Sequence, residues 1–343
     1  MLSSQIEDYE LGDVIGVGTV GTIYMAVSRS TGERVAIKKL HPGVCQDPLI
    51  RARFQREVVI MERLRHPNII RSYGGGNDNG QLYYVMELID GGTVKNLLQM
   101  KGAFRWPIVV EIGRQVCSAL QFAHNHGVIH RDLKPGNLFL TRGAEVKLGD
   151  FGIARDLRGS DITSSGMTVG THAYMAPEQI TGDSAVSGKA DLYSLGCCLF
   201  EMLVGRTPFQ GENFAQLFDQ HLRAKPPHVR DFVPDCPAEL DEIICKLLAK
   251  NPEDRPFNAR QVQAVMLQLE ERDISPDSKI GQEIIHELED VPAEDVGALG
   301  REMLRDEIEH QFGGSRGDVS WQRLAVVFVA IAAIIALATL FGR

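Results

Sequence analysis

Cysteine pairs at redox or metal-binding spacing are missing from this chain of 343 residues. Cys45, Cys117, Cys197, Cys198, Cys236 and Cys245 contain no C-x-x-C, and the adjacent pair cannot easily bridge, which excludes a disulfide framework and leaves reduced, mostly core thiols. A basic excess is missing as well. The net charge is −9, and between Arg272 and Ser320 five basic residues face thirteen acidic ones, so the remainder is almost neutral and offers no nucleic-acid surface. The polar, acidic stretch Met1–Glu10 contains no apolar leader, so no signal peptide is expected. No long apolar run occurs before Leu324. What is present is a hydrophobic content of 44%, which excludes wholesale disorder, and enough chain for one large two-lobed domain or two ordinary ones plus appendages.

The chemistry is concentrated in His130-Arg131-Asp132-Leu133-Lys134-Pro135-Gly136-Asn137, with Asp150-Phe151-Gly152 beginning thirteen residues after Asn137. These residues suit phosphoryl transfer from a magnesium nucleotide. Asp132 can accept a hydroxyl proton, Lys134 can sit beside the moving phosphoryl, and the hard oxygens of Asn137 and Asp150 can ligate the metal. Upstream, Gly16-Val17-Gly18-Thr19-Val20-Gly21 is by itself equally compatible with a dinucleotide site. A dinucleotide fingerprint opens a helix, however, whereas Thr22 to Val27 is β-branched and aromatic and Glu33 to Leu40 reads as another strand. A glycine loop between antiparallel strands is a phosphate cover. Val35-Ala36-Ile37-Lys38 ends the second strand on an ammonium. Phe54, Val58 and Met61 recur at helical spacing, Gly74 to Gly80 reads as a turn-rich loop, and Thr93 to His126 follows a helical pattern.

In these motifs the chain resembles the eukaryotic-like Ser/Thr protein kinases, specifically the bacterial receptor-like, Hanks-type group. The resemblance covers residues 9–271 and implies an α+β, two-lobed protein kinase fold with a β-rich N-lobe carrying one main helix and a mostly helical C-lobe. It implies ATP and Mg2+ as cofactors and proteins bearing Ser or Thr as substrates. Gly16, Val17, Gly18, Thr19, Val20, Gly21 and Thr22 would cover the phosphates. Lys38 would hold the α- and β-phosphates, paired with Glu57, with Glu62 as runner-up. Ile15, Ile23 and Ala36 would cap the adenine and Phe139 would lie beneath it, in a narrower pocket than the family's usual Leu or Met gives. Met86 would border the deep end, and the backbone of Glu87 and Ile89 would hydrogen-bond the base. Asp132 and Lys134 are the expected catalytic residues, and Asn137 and Asp150 the metal ligands. Asp191 would brace the catalytic loop and Glu178 would pair with Arg255. In the activation segment, Asp150 to Glu178, the candidate phosphorylation sites are Thr163, Ser164, Ser165 and Thr168, while Thr171 would hydrogen-bond Asp132 and Lys134. A pseudokinase scaffold and a small-molecule kinase are the rivals.

Residues 272–320 read as an acidic, solvated juxtamembrane linker or a docking segment, with short amphipathic helices at Lys279–Leu288 and Leu299–Phe312 from which no core can be assembled. Leu324 to Phe341 is eighteen uncharged residues. At about 27 Å they approach the ~30 Å hydrocarbon core, so a transmembrane helix is expected over 324–341, a buried core helix being the alternative. That makes the chain a tail-anchored, single-pass membrane protein without an external sensor domain, its catalytic domain cytoplasmic. Ala332 and Ala336 offer a face for homodimer pairing that would favour trans-autophosphorylation.

Overall fold

The computed structural model describes residues 5–18, 20–46, 48–151, 172–183, 186–273, 282 and 299–312. Five antiparallel strands open the fold: β1 (Tyr9–Val17), β2 (Gly21–Ser28), β3 (Arg34–Leu40), β4 (Ser72–Asp78) and β5 (Gln81–Glu87), arranged β1-β2-β3-β5-β4. Helix α1 (Pro48–Arg63) packs on β4. Strand alternation explains the two apolar clusters of this lobe. Ala26, Val35, Ile37 and Val85 fill one, and Leu40, Leu82 and Cys45 meet Phe54 and Val58 of α1 in the other, where the Phe54 and Tyr84 rings stack at 5.1 Å.

The stretch expected to be a turn-rich loop, Gly74 to Gly80, is mostly strand. Gly75 and Gly76 are there for space. A Cβ at Gly75 would stand 2.5 Å from Tyr83 O, and one at Gly76 would stand 2.6 Å from Tyr83 Oη. Only Asn79 and Gly80, both at positive φ, make the turn.

The second lobe is helical, with α2 (Val94–Lys101), α3 (Trp106–Asn125), α4 (Pro177–Ile180), α5 (Gly188–Val204), α6 (Phe214–Arg223), α7 (Ala238–Leu247), α8 (Ala259–Asp273) and α9 (Leu299–Phe312). The helical pattern from Thr93 to His126 thus divides in two. Gly102, at φ 86°, ends α2, and Pro107 in the first turn of α3 restarts the helix. Thr93 starts α2 through a capping box with Asn96. Helix α5 is buried from Ala190 through Phe200, which makes it the core element against which α3 and α7 pack. The run Leu138 to Leu148 folds as a short hairpin, β6 (Leu138–Leu140) and β7 (Val146–Leu148).

The linker expectation needs one correction. Helix α9 is not a solvated tether: Leu299, Met303, Leu304 and Ile308 enter the main core and the helix packs on α3. An acidic composition hid this, because the charges occupy the outer face. Most of Lys279–Leu288 and all of 324–341 lie outside the described residues, and among the described residues no helix is long and apolar enough to cross a membrane.

Candidate active site

The hairpin β6–β7 carries the residues around it. Just before β6, Pro135–Asn137 forms one 3-10 turn, and Asp150 follows β7 by two residues. Gly149 N donates to Asn137 O at 3.0 Å, which joins the two ends of the hairpin and brings residues 137 and 150 to the same edge. Asn137 Nδ2 donates to Asp132 O at 2.7 Å, so the amide nitrogen faces the loop and the carbonyl oxygen is left as the donor suited to a cation. Lys134 Nζ donates to Asp132 Oδ2 at 2.7 Å. Asp132, Lys134, Asn137 and Asp150 are therefore brought to one edge of the hairpin.

The loop is held from beneath. Fully buried Asp191 accepts from His130 N and Arg131 N, both at 2.8 Å, and its Oδ2 lies 2.8 Å from His124 Nε2. Arg131, at φ 63°, and Asp150, at φ 49°, occupy left-handed backbone that only a well-anchored loop sustains without glycine. His130 Nε2 lies 2.9 Å from Gly149 O, and its Nδ1 takes the Asp132 N–H at 3.3 Å. One ring nitrogen donates and the other accepts, so the imidazole is neutral, and its burial holds the pKa below the ordinary value despite the nearby Asp191.

Lys38 reaches this centre from β3. Its Nζ donates to Asp150 Oδ1 at 2.6 Å. Burial alone would lower the lysine and raise the carboxyl. Their mutual attraction outweighs it, so Lys38 is raised and Asp150 lowered, the latter helped by Lys134. The side chain of Glu57, the expected partner of Lys38, lies outside the described residues, and Glu62 is exposed on α1.

The glycine loop joins β1 to β2. Gly16 pairs with Ile23 and Val17 with Thr22, and Gly18 N donates to Gly21 O at 2.9 Å across the tip, where Val20 is half-buried and Thr19 lies outside the described residues. Antiparallel strands on both sides exclude the dinucleotide arrangement. The three glycines differ in role. A Cβ at Gly16 or Gly18 would make ordinary contacts, but one at Gly21 would stand 2.4 Å from Lys39 O, so Gly21 serves the approach of β3 rather than of a phosphate.

The matching family model is that of the protein kinase domain, over residues 9–266. The chain belongs to the protein kinase family. It is 36% identical over 303 residues to serine/threonine-protein kinase PknB of Mycolicibacterium smegmatis, covering 86% of this chain and 48% of that protein. To serine/threonine-protein kinase PknD of Mycobacterium tuberculosis it is 38% identical over 259 residues, covering 75% and 39%. The crystal structure of the Mycobacterium tuberculosis PknI kinase domain aligns with a TM-score of 0.61 at 29% identity, over 78% of this chain and 99% of that one. These relatives place the kinase in the bacterial, Hanks-type group; the chain spans less than half the length of the two curated ones.

In kinase terms the remaining expected residues sit around the hinge. Ile15, Ile23 and Met86 are half-buried and Ala36 is buried, with Ala36 paired to Met86 across β3 and β5. Glu87 N donates to Arg71 O at 2.9 Å, so the N–H of this residue is already engaged, and half-buried Ile89 follows two residues later. Phe139 alternates with buried Leu138 and Leu140 and packs on Gly149, where a Cβ would stand 2.9 Å from Phe139 Cε2. Glu178 and Arg255 form the expected buried pair, at 2.6 and 2.8 Å. Gly152 and the candidate phosphorylation sites Thr163, Ser164, Ser165 and Thr168, with Thr171, lie outside the described residues.

Three supporting residues escaped the sequence. His41 holds the glycine loop, its Nε2 3.0 Å from Gly18 O and its N–H on Val20 O at 2.8 Å. Lys147 of β7 binds the Glu87 carboxylate at 2.9 Å, and Gln179 donates to Arg131 O at 3.0 Å. None of the three follows from periodicity, although Gln179 adjoins Ala176-Pro177-Glu178. Elsewhere His228, Asp241 and Cys245 converge, but the Asp241 carboxylate is taken up by Val229 N at 2.6 Å and His228 Nδ1 at 2.8 Å. A concavity of about 700 Å³ lined by Ala173, Phe209 and Leu217 shares no lining residue with the catalytic group.

Proposed function

We propose that this chain is a Ser/Thr protein kinase that passes the γ-phosphoryl of MgATP to hydroxyls of protein substrates. The observation that carries this is the convergence of Lys38, Asp132, Lys134, Asn137 and Asp150 from three separate segments onto one edge of the β6–β7 hairpin. A pseudokinase scaffold would be expected to lack at least one of them, and a small-molecule kinase the Ala176-Pro177-Glu178 segment and the hydroxyl-rich loop.

Asn137 and Asp150 fit magnesium, being hard oxygen donors with the Asn137 amide turned so that its nitrogen faces Asp132. Bound there with nucleotide, the metal would offset charge on the phosphates. Lys38 would bind and orient the α- and β-phosphates, the Gly16–Gly21 loop would exclude water above them, and Met86, Ala36 and Phe139 would enclose the base. Asp132 would align the attacking hydroxyl and take its proton, while Lys134 neutralises charge gathering on the transferred group. Arg131 precedes that base, and a phosphorylated Thr163 or Ser165 would supply a group its guanidinium can hold.

The apolar run 324–341 supports a membrane-spanning segment with the catalytic domain in the cytoplasm, where ATP is, and pairing of two copies would favour phosphorylation in trans. Incubating the purified chain with labelled ATP and Mg2+, without other protein, tests the activity. Label on Thr163 or Ser165 that disappears in Asp132→Asn is expected. No label on the chain or on a generic protein substrate would refute it.

A further inference from the structure

Helix α9 does more than cover apolar surface. Its register is fixed at both ends. Gly300 lies so close to α3 that a Cβ would stand 2.9 Å from Pro107 O, and Glu307 forms an ion pair with Lys101 at the end of α2. Along the helix Leu299, Met303, Leu304 and Ile308 are buried. The last residue, Phe312, then lays its ring against Gly92, where a Cβ would stand 2.8 Å from Phe312 Cζ and where φ is 72°.

Gly92 is part of the chain that leaves the hinge. Its carbonyl accepts from Leu140 N at 3.0 Å, Gly91 N donates to Leu140 O at 2.8 Å, and Thr93 bridges to Phe139. Asp90, Gly91 and Gly92 lie between Ile89, which faces the adenine edge in the proposed site, and Thr93, and the two glycines bond to the β6 strand that carries its floor. Two of those neighbouring positions are glycines, which lose more conformational freedom on ordering than any other residue. A ring fixed on the rigid C-lobe therefore limits how far the hinge backbone can leave β6. The catalytic loop is anchored separately, by Asp191.

We propose that Phe312 is a positioning residue for the nucleotide site, acting through Gly92, and that docking of α9 sets nucleotide affinity. This rests on the kinase reading above. Residues 313–323 alone separate Phe312 from the apolar run in the sequence.

The test uses the full chain and two variants, Phe312→Ala and Phe312→Leu. Three quantities are measured: affinity for a non-hydrolysable MgATP analogue, KM for ATP with kcat, and amide exchange across residues 89–93. In Phe312→Ala a rise of about three- to tenfold in KM and Kd is expected, equivalent to about 0.7–1.4 kcal/mol, with kcat within about twofold and faster exchange at 90–93. Phe312→Leu should restore most of the affinity, which a merely unfolded variant would not. Unchanged KM and Kd in Phe312→Ala overturn the proposal, as does a fall in kcat that tracks thermal stability while KM stays put. Failure of the wild-type chain to bind the analogue refutes the kinase reading itself, an outcome distinct from a wild type that binds and a variant that binds equally well.

Discussion

Lys38 Nζ and Asp150 Oδ1 lie 2.6 Å apart although 112 positions separate them in the chain. The pair links β3 of the sheet lobe to the loop after β7, and each partner shifts the other toward its charged form. The raised lysine contributes stability that is fully present below its ordinary value of 10.5 and lost only as pH rises through its folded value. The lowered carboxyl contributes stability that is present above its ordinary 3.8 and lost as pH falls through its folded value. Across neutral pH the pair is therefore constant. Lys38→Met should cut phosphoryl transfer at least about 100-fold, the scale for loss of one preorganised charge, and should raise the Asp150 pKa, readable by carboxyl NMR. A variant with its Asp150 titration unmoved would show that the ion pair is not maintained in solution.

Asp132→Asn should lower turnover by about 10²–10⁴-fold, the usual span for a positioned general base. Nucleotide affinity should change little, because Asn137 binds the backbone carbonyl of residue 132 and not only its side chain. Steady-state kinetics together with analogue titration separate the two effects; transfer that survives in the variant would remove Asp132 from its proposed role.

Asp191→Ala leaves the N–H groups of His130 and Arg131 without their acceptor in a buried site. At about 1–3 kcal/mol for each buried orphan donor, several kcal/mol of stability should vanish. Urea unfolding monitored by circular dichroism gives the number. A loss below about 1 kcal/mol would mean that water takes over the brace.

Arg255 is 3% exposed and binds Glu178 through its two terminal guanidinium nitrogens, with further bonds to Ala249 O, Lys189 O and Lys250 O. Glu178→Ala should destabilise by about 3–5 kcal/mol, since it leaves a buried cation unpaired. Adding Arg255→Met should recover part of that loss, and a double-mutant cycle that proves additive would argue against coupling across the pair.

Two buried histidines should make the protein acid-sensitive. Burial lowers His130, and burial with Lys250 beside it takes His221 down to about 3. Both folded values lie below the unfolded one of 6.5, so the unfolded chain takes up protons first. The stability they contribute is present above that pH and falls as pH drops. For His221 alone the loss from pH 6.5 to 5 is about 2 kcal/mol, at about 1.4 per unit. Urea midpoints that stay level from pH 7 to 5 would contradict this.

Gly21→Ala and Gly18→Ala should differ sharply. A Cβ at Gly21 meets Lys39 O at 2.4 Å, which forces β2 from β3, whereas at Gly18 the nearest atom is at 3.6 Å. Loss of thermal stability in the first and near-wild-type stability in the second are expected. Equal effects would indicate that the loop rather than the sheet governs this segment.

The sequence determined what its local patterns encode. His130 to Asn137, Asp150-Phe151-Gly152 and the strand, loop, strand order around Gly16–Gly21 each carry their chemistry within a few residues, so the kinase fold was legible before any coordinates, whereas the Glu178–Arg255 pair, 77 positions apart, followed from the family resemblance alone. Tertiary structure decided what depends on contacts between distant segments. Whether a glycine makes a turn or leaves room for a ring cannot be told from composition, and Gly75 and Gly76 proved to face Tyr83. An acidic helix looks solvated until its buried side finds α3, as α9 does. Likewise the resemblance pointed Lys38 to Glu57, with Glu62 as runner-up, and among the described residues the carboxylate it meets is Asp150, because the distance between side chains is set by the packing of two lobes and not by spacing along the chain.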